Sequence, residues 1–424
     1  MNLSALENKR IAIWGMGREG QTSLTFLKKH FPNQKFIIIN RDPIETDEEF
    51  ILEDEMLKHT QEFDVVIKSP GISYYHEHIA KLKDQGIIVT SATNIWFDLP
   101  RSGKVIAITG SNGKSTTSAL THHILTEIGR KAALGGNIGT PLLSLPLDQD
   151  YFVVELSSYQ TCDLTGVPDI AVLLNLYPEH IQWHRSHEQY YHDKCNLLRR
   201  GGDINIVNHS EPRTKDIAEN SVMFGGDSNI HFKNSSMMDG KDMIGELDGF
   251  PLLGDHNLEN LSAALSICKM LKLDLAKCLE AAKSYPGLPH RLQIFGPHNG
   301  HMFVNDSIST DPEATIAALN ALKEKNVTLI VGGEDREQDY QALAEAIDQT
   351  NTKAICVYET GPRLFDLIKN QDKQMATSLE DAVLKAKDIT DQGGYIVLSP
   401  AAPSYDAFNN FEERGEMFMN FAQK

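Results

Sequence analysis

Cysteine is scarce in this sequence: its 424 residues include five, and no two of them form a C-x-x-C pair. So small and scattered a set argues against a disulfide framework and for a reducing compartment. The sequence also has no apolar run of about 18 residues, the length that a membrane-spanning helix needs. The first residues, MNLSALENKR, do not have the pattern of a signal peptide. We therefore expect a soluble, cytoplasmic protein.

Positive charge is also in short supply. The chain has 40 lysines and arginines against 58 acidic residues, a formal net charge of −18, and it has no long basic cluster. Such a charge disfavours nucleic acids and anionic membranes as partners. We expect small-molecule substrates as the partners, no membrane insertion, and a monomer.

What the sequence does have is an alternation of strand-like and helix-like segments in three successive blocks. This alternation predicts an α/β protein built on parallel, doubly wound sheets. The second block includes a polar, Gly- and Asp-rich stretch at 211–253, which predicts a small antiparallel β attachment. The polar segment DLPRSGK predicts a linker after the first block. We predict three domains, with the boundaries 1–97, 98–287 and 288–424.

The most informative segment is KVIAITGSNGKST at residues 104–116, a β-branched strand followed by a glycine turn and a lysine. The turn and the helix start after it are Gly110, Ser111, Asn112, Gly113, Lys114, Ser115 and Thr116. Backbone N–H groups of such a turn bind phosphates, a lysine reaches the β- and γ-phosphates, and a hydroxyl can hold Mg²⁺. The segment predicts nucleoside triphosphate binding. It departs from the usual G-x-x-x-x-G-K-[ST] pattern because Ile108 occupies the position of the first glycine.

A second glycine turn, GMGREG at residues 15–20, has the G-x-G-x-x-G pattern between a predicted strand and a predicted helix. Its glycines permit close approach to a diphosphate at the helix N-terminus. A nicotinamide dinucleotide would also require an acidic residue at the end of the second strand. Asn40, Arg41 and Asp42 stand there, so the sequence leaves open a nicotinamide cofactor, another diphosphate, and a turn that serves packing alone.

A carboxylate and an imidazole each follow a predicted buried strand in the second block. Glu155 ends the strand at 151–155, and His180 follows the strand at 170–175. A carboxylate at this end of a strand beside the phosphate loop suits Mg²⁺. His180, His184, His187 and His192 have no accompanying cysteine or further spaced ligand, so we do not expect zinc and place most of these histidines at the surface. Lys194, on a helix predicted over 188–200, is by default a solvated lysine.

The start of the third block carries an arginine and an aspartate, in GLPHR at 287–291 and NDSIST at 305–310. Arg291 could stabilise charge on a transferring phosphoryl group. Either Arg291 or Asp306 could equally form an interdomain salt bridge.

Together, eight segments resemble one family, the Mur ligases, over nearly the whole chain. These segments are TGSNGKST, GGNIG, ELSSYQ, NLYPEH, GDHNLEN, GLPHR, NDS and LSPAAPSYDAFNNFEERG. The resemblance implies an N-terminal Rossmann-like domain that binds a UDP substrate, a central ATPase domain, and a C-terminal Rossmann-like domain that binds an amino acid.

The resemblance also implies an activity: ATP-dependent amide-bond formation in peptidoglycan precursor synthesis. ATP would convert the carboxylate of UDP-N-acetylmuramoyl-L-alanine to an acyl phosphate, and the amine of D-glutamate would then displace phosphate. A carboxylate becomes a good electrophile only when its oxygen becomes a leaving group, and cations must neutralise the oxyanions during the transfer. ATP and Mg²⁺ are the expected cofactors.

The resemblance assigns roles residue by residue. The positions that match catalytic residues are Lys114, Lys194, His180 and Arg291. Those that match nucleotide contacts are residues 110–116 with Asn260, Arg291 and Asp306, and those that match metal ligands are Ser115, Glu155, His180 and Lys194. Lys194 matches a lysine that the family carbamylates, a reaction that needs a neutral amine and hence a lowered pKa. Positions that match the UDP-muramoyl substrate are Gly15, Gly17, Arg18, Glu19, Gly71, Asn137, Ser157 and Gln160, and those that match the glutamate pocket are Thr310, Ser404 and Phe411.

The glutamate pocket departs from the family pattern. Where the family commonly reads N-D-S-K-A-T, this chain has Ile308 in place of the lysine that binds a glutamate carboxylate. Arg336 is the candidate replacement cation. A variant that adds L-glutamate is therefore the main alternative. A nicotinamide-dependent oxidoreductase and a nucleotide-driven switch protein are rivals from other classes.

Overall fold

A computed structural model describes residues 3–214, 221–227, 229–350 and 352–424. The chain divides into two compact units. One runs to Phe250 and includes Leu258–Tyr285; the other consists of Pro251–Asn257 and Pro286–Lys424. The domain boundaries that we predict from the sequence remain predictions. Within the described residues, no helix combines the length and the apolar character needed to span a membrane.

The first sheet has five parallel strands in the order β3-β2-β1-β4-β5. Its elements are β1 (Ile11–Trp14), α1 (Arg18–His30), β2 (Phe36–Asn40), β3 (Glu49–Leu52), β4 (Val65–Lys68), α2 (Glu77–Asp84), β5 (Ile88–Ser91) and α3 (Ala92–Phe97). Every residue of β1 and β4 is buried, as expected for parallel strands that are covered on both faces. The strand order reverses between β1 and β4, so the glycine turn after β1 lies at a topological switch point.

The second sheet has nine strands in the order β14-β13-β12-β11-β10-β9-β6-β8-β7. Its elements are β6 (Lys104–Thr109), α4 (Lys114–Glu127), β7 (Ala132–Gly136), β8 (Tyr151–Glu155), α5 (Ser158–Cys162), β9 (Ile170–Leu173), α6 (Ile181–His184), α7 (His187–Arg200), β10 (Ile204–Asn208), β11 (Val222–Phe224), β12 (Ile230–Lys233), β13 (Ser236–Asp239), β14 (Asp242–Glu246), α8 (Asp255–Met270) and α9 (Leu275–Lys283). Strand β6 lies between β8 and β9, so the phosphate loop, Glu155 and the segment after β9 meet at one sheet edge.

The predicted antiparallel attachment is confirmed only in its outer part. Strands β12, β13 and β14 pair antiparallel, but β11 pairs parallel to β10 and β12 parallel to β11. The attachment therefore extends the main sheet instead of forming a separate one. Sequence analysis missed β13. This strand is short, and it begins and ends with polar residues.

The third sheet has six strands in the order β15-β16-β20-β17-β18-β19, parallel except for the β15–β16 pair. Its elements are β15 (Gln293–His298), β16 (His301–Asn305), α10 (Pro312–Ala321), β17 (Val327–Val331), α11 (Gln341–Gln349), β18 (Lys353–Cys356), α12 (Gly361–Leu367), β19 (Lys373–Met375), α13 (Leu379–Ile389), β20 (Tyr395–Leu398) and α14 (Phe411–Gln423). The three α/β sheets confirm the predicted fold class.

The first and second sheets share one hydrophobic core. Buried side chains of β1 and β4 belong to the same cluster as those of β6, β8 and β9. Helix α3 connects them: Trp96 packs edge-on against Phe152, with ring centroids 5.6 Å apart, and the Arg101 guanidinium lies 4.0 Å from the Trp96 ring centroid. This shared core gives the polar side chains between the two sheets a fixed geometry.

Candidate active site

The phosphate loop depends on its two glycines. Gly110 has φ +158° and Gly113 has φ +81°, values that L-residues rarely adopt. A Cβ on Gly110 would lie 2.9 Å from Cβ of Leu174, and one on Gly113 would lie 2.3 Å from Oδ1 of Asn260. The loop is thus closely packed against α8, where Asn260 also accepts a hydrogen bond of 3.1 Å from the Thr117 hydroxyl.

The segment after β9 fastens the loop. The backbone N–H groups of Ser111 and Asn112 donate to the carbonyl and side-chain oxygens of Asn175, at 2.9 and 2.8 Å. The Ser111 hydroxyl donates to the Tyr177 carbonyl and accepts from the Tyr177 N–H, both at 2.8 Å, and it lies 2.7 Å from the Tyr190 hydroxyl. The loop is therefore rigidly positioned before any ligand binds.

Two lysines converge on this loop. Lys114 Nζ donates to the Ser111 carbonyl at 2.6 Å, and Lys194 Nζ donates to the Gly110 carbonyl at 2.7 Å. Lys194 is 1% exposed, so the default expectation of a solvated lysine is wrong. Burial, and then the charge of Lys114, hold the pKa of Lys194 well below its usual range, and Glu155 is among the carboxylates that oppose this shift. A lysine in this environment has access to its neutral, nucleophilic form.

Glu155 is completely buried at the end of β8, opposite Ile108 in the neighbouring strand. Its Oε1 accepts a hydrogen bond of 2.6 Å from the Asn137 side chain. Its Oε2 is also buried and has no hydrogen-bond partner among the described residues. Leaving such an oxygen unsatisfied costs free energy. The arrangement fits a carboxylate whose missing partner is a cation.

His180 lies close to the same charges. It has φ +53° and begins α6, and its ring centroid lies 5.1 Å from that of Tyr159. Burial lowers the pKa of His180, with smaller contributions from Lys194 and Lys114, so the imidazole is neutral and can accept or ligate near neutral pH. Ser115 occupies the first turn of α4. Among the described residues, no group of three or more His, Cys, Asp or Glu side chains could hold a metal.

The predicted substrate residues of the first two sheets are joined directly. Ser157 caps α5, and the Gln160 side chain accepts from the Ser157 N–H at 3.0 Å. Gln160 Nε2 donates to Oε1 of Glu19 in α1 at 2.8 Å. The neighbouring Arg18 donates to the Gly139 carbonyl. These contacts bring the glycine turn of the first sheet next to the turn that follows Glu155.

The glycine turn of the first sheet packs closely at its ends and leaves space beside the backbone in its middle. Gly15 has φ +91°, and a Cβ on Gly20 would lie 2.0 Å from the Gly15 carbonyl oxygen, so helix α1 packs closely on the strand. A Cβ on Gly17 or on Gly71 would meet nothing within 4 Å. The Gly71 carbonyl accepts from Nε1 of Trp183 at 3.3 Å. The middle of the turn is thus where a ligand could approach the backbone.

In the second unit, Asp306 is a buried anchor. Its carboxylate accepts from the hydroxyls of Ser309 and Ser399 at 2.6 and 2.7 Å, and from the Leu292 N–H at 3.0 Å. Burial raises its pKa. Arg291 precedes Leu292 and is exposed. Asp306 therefore fixes the backbone beside Arg291.

The predicted glutamate residues of this unit are less closely connected. Arg336 is exposed, donates to Glu334 at 2.9 Å, and lies 5.8 Å from the Tyr405 ring centroid. The Thr310 carbonyl accepts from the Gln338 side chain at 3.3 Å. Ser404, which precedes Tyr405, is buried, and the Phe411 carbonyl accepts from the Ser307 hydroxyl at 2.8 Å. Within the part of the chain that the structure describes, Arg336 forms no hydrogen bond or ion pair with Thr310, Ser404 or Phe411.

Residues 108–268 match the family description "Mur ligase middle domain", and residues 290–402 match "Mur ligase, glutamate ligase domain". The chain belongs to the Mur ligase family. It is therefore an ATP-dependent ligase.

Curated relatives of this Mur ligase match over the full length. One from Micromonospora is 34% identical over 99% of this chain and 97% of its own, and one from Xanthomonas axonopodis pv. citri is 36% identical over 100% and 97%. Both are named UDP-N-acetylmuramoyl-L-alanine--L-glutamate ligase. The glutamate in both names is L-glutamate, the enantiomer of the alternative in our sequence analysis.

Solved Mur ligases have the same fold. UDP-N-acetylmuramate-alanine ligase MurC from Thermotoga maritima superposes with a TM-score of 0.61 at 17% identity, covering 97% of this chain and 99% of its own. MurF ligase from the same organism, solved with ADP, gives 0.60 at 16% identity, covering 100% and 96%.

Sequence analysis of this Mur ligase missed a buried histidine. His184, expected at the surface, is completely buried: its Nδ1 lies 2.6 Å from an Asp193 carboxylate oxygen, and its Nε2 lies 2.9 Å from the Ser158 hydroxyl. Asp193 also accepts from the Tyr75 hydroxyl at 2.7 Å. This series of hydrogen bonds connects the helix that carries Lys194 to the turn after Glu155. His184 and Asp193 are nine residues apart across a loop, and no sequence pattern marks a pair at that spacing.

Sequence analysis also missed Arg414 of α14. Its guanidinium is 1% exposed and donates to the Ser307 hydroxyl and carbonyl and to the carbonyls of Ala402 and Pro403, at 2.9 to 3.1 Å. Burial lowers the pKa of Arg414 to about 10. Arg414 thereby holds together the two loops that carry Ser404 and Ser307.

Proposed function

We propose that this Mur ligase joins L-glutamate to UDP-N-acetylmuramoyl-L-alanine through an acyl phosphate, with ATP as the phosphoryl donor and Mg²⁺ as the metal. The observation that carries the proposal is a buried carboxylate oxygen, Glu155 Oε2, which has no hydrogen-bond partner among the described residues and lies in the same charge cluster as Lys114 and Lys194. The names of the full-length relatives support the substrates. We place the reaction in the cytoplasm and propose a monomer.

The first unit supplies the phosphate site. Helix α4 begins at Lys114, so its first N–H groups and its dipole favour an anion at the glycine loop. Lys114 now donates to the carbonyl of its own loop, and we propose that its ammonium turns to the β- and γ-phosphates when ATP binds. Asn260, packed behind Gly113, holds this loop against α8.

The donor set beside the loop suits Mg²⁺. A hydroxyl from Ser115 and a carboxylate from Glu155 are hard oxygen ligands, and His180 adds a neutral imidazole. Bound Mg²⁺ would neutralise phosphate oxygens during transfer. We propose that Ser115, Glu155, His180 and a modified Lys194 hold the metal.

Lys194 is proposed to carry a carbamate. Its neutral amine would attack CO₂, forming one N–C bond and releasing one proton, and the product is an anion in place of a cation. Its burial and the proximity of Lys114 both favour the neutral amine that this reaction needs.

The chemistry then follows from charge neutralisation. The alanyl carboxylate attacks the γ-phosphorus and ADP leaves; the glutamate amine attacks the acyl carbon, phosphate leaves, and the amine loses a proton. Lys114 stabilises the charge on the transferring group. We propose Arg291 as a further nucleotide-contacting cation. Asp306 keeps the backbone beside it in place.

For glutamate we propose a pocket built from Thr310, Arg336, Ser404 and Phe411. Ile308 offers no charge for the side-chain carboxylate, so Arg336 is the proposed counter-ion. Its contact with a single carboxylate leaves guanidinium N–H groups for a second one.

The test is direct. Purified protein is incubated with ATP, Mg²⁺ and UDP-N-acetylmuramoyl-L-alanine, and L- or D-glutamate is supplied separately while phosphate release and product mass are measured. We expect a product one glutamyl residue heavier with L-glutamate alone. Product with D-glutamate alone would overturn the enantiomer, and phosphate release that is independent of the muramoyl acceptor would favour a nucleotide-driven switch.

A further inference from the structure

Four polar side chains meet between the first and second sheets, and no role assigned so far accounts for two of them. Glu19 of α1 and Lys68 at the end of β4 face Gln160 of α5 and Asp163, the residue that follows α5. Lys68 is 1% exposed and its Nζ lies 3.4 Å from an Asp163 carboxylate oxygen. We call these four residues the intersheet cluster.

The cluster fixes the orientation of the Gln160 amide. Gln160 Oε1 accepts from the N–H and the hydroxyl of Ser157, at 3.0 and 3.1 Å, so the oxygen must point to the start of α5. The amide nitrogen therefore points to Glu19, to which it donates at 2.8 Å. An amide nitrogen has two protons. One is used here, and the other is available to a carbonyl or carboxylate oxygen of a substrate.

Charge balance in the cluster depends on Lys68. Two carboxylates, Glu19 and Asp163, share this one buried ammonium ion. Burial raises the pKa of Glu19 to about 7, and the charge of Lys68 is the largest influence that lowers it. Lys68 Nζ and Asp163 Oδ1 are buried with no hydrogen-bond partner among the described residues. Removing one member would leave an uncompensated buried charge.

The cluster also connects two ends of the proposed substrate site. Glu19 lies in the GMGREG segment and Gln160 in α5, and the family resemblance matches both to positions of the UDP-muramoyl substrate. A single molecule that occupies both needs a fixed distance between them. We propose that Lys68 and Asp163 are positioning residues for the UDP acceptor: they hold Glu19 and Gln160 together, so that the acceptor's diphosphate and its peptide end are bound in register. This inference rests on the proposed function and on the match, in the sequence analysis, of Gln160 to a position of the UDP-muramoyl substrate.

The test compares steady-state kinetics of Lys68→Met, Lys68→Arg, Asp163→Asn and the Lys68→Met/Asp163→Asn double variant. The matched control is Lys81→Met, which removes an exposed lysine paired with Glu77 at 2.9 Å on α2. We expect Lys68→Met and Asp163→Asn to raise the KM for the acceptor about tenfold, with kcat and the KM for ATP within about twofold of wild type, as for loss of one charge-assisted contact. Lys68→Arg should retain most of the affinity. The KM for the acceptor of the double variant should be no higher than that of Lys68→Met, because the double variant removes the Asp163 charge that Lys68→Met leaves without its counter-ion.

Two results would overturn the inference: an unchanged acceptor KM in Lys68→Met, or an equal change in the KM for ATP and in kcat. If Lys68→Met does not fold, the double variant and Lys68→Arg give the same comparison. Calorimetric binding of UDP-N-acetylmuramoyl-L-alanine without ATP separates the two proposals. Wild type that binds the acceptor but forms no product overturns the proposed function and leaves the cluster testable by binding. If wild type is active and Lys68→Met binds the acceptor as tightly as wild type, the positioning role of the cluster is overturned and the proposed function stands.

Discussion

The proposed phosphate site of the first unit and the proposed glutamate site of the second differ in how their cations are held. Lys194 is buried and donates to a backbone carbonyl, and Glu155, a carboxylate that influences its pKa, is fully buried. Arg336 is exposed and paired with one side chain that is itself partly exposed. The cation of the first site is held by the backbone and by burial, whereas the cation of the second is an exposed side chain.

This difference indicates where chemistry and specificity are encoded. Buried charges interact strongly and can shift a pKa, which phosphoryl transfer needs. Moving or replacing an exposed cation costs little folding free energy, because the charge stays in water. An arginine elsewhere can therefore compensate for Ile308 at the position of the usual lysine. We expect substitutions in the first site to lower kcat. Those in the second site should change the KM for glutamate alone.

The largest expected effect is that of Lys114→Ala. Loss of the only lysine at the start of α4 should reduce ATP-dependent product formation by about 10³-fold or more, since it removes a charge aimed at the transferring phosphoryl group. Binding of the UDP acceptor, measured by calorimetry, should stay within about twofold of wild type. Lys131→Ala, at an exposed lysine, is the control. Retained product formation would contradict the role of Lys114.

Lys194→Ala should reduce activity by about 10²- to 10³-fold, because it removes a proposed metal ligand. A readout independent of turnover is the ¹³C NMR carbamate signal after equilibration with ¹³C-bicarbonate. We expect the signal in wild type and in Lys114→Ala, and its absence from Lys194→Ala. A wild-type protein without the signal would leave Lys194 as a cation beside Gly110 and remove it from the metal site.

A smaller effect is expected at the second site. Arg336→Ala should raise the KM for glutamate about tenfold, the cost of one charge-assisted contact, and leave the KM for ATP unchanged. Adding Ile308→Lys to that variant should recover part of the affinity, because it returns a cation to the position where the family commonly has one. An unchanged KM for glutamate in Arg336→Ala would exclude Arg336 from the pocket.

The contrast between the sites also explains what the sequence could reveal. The strand, turn and lysine of the phosphate loop are contiguous, and Glu155 lies at the end of a buried run. Local sequence patterns were therefore enough to predict a role for each of them. His184 and Arg414 are buried by partners distant in the chain, Ser158 and Ser307, and a polar residue carries no sequence mark of such burial. The pairing of Lys68 with Asp163 depends on the packing of two sheets around Trp96 and Phe152, which no local pattern specifies.

The smallest expected effect concerns the pH dependence of stability at the intersheet cluster. The pKa of Glu19 is about 7 in the folded protein, above its ordinary value of 4.5, because burial outweighs the charges of Lys68 and Arg18; Asp163 adds to the rise. Between these two values the unfolded chain releases a proton that the folded chain retains, so the contribution of Glu19 to the free energy of unfolding falls as pH rises and levels off above about 7. Glu19→Gln removes this penalty at every pH.

The melting temperature of Glu19→Gln should therefore equal or fall slightly below that of wild type near pH 4.5, and exceed it by a few degrees at pH 8, as measured by calorimetry. Glu77→Gln is the matched control of opposite sign. Lys81 lowers the pKa of the exposed Glu77 carboxyl, so its replacement should bring no gain in stability above neutral pH. If the difference between Glu19→Gln and wild type did not change with pH, Glu19 would be ionised at little cost, and Lys68 would already neutralise it fully.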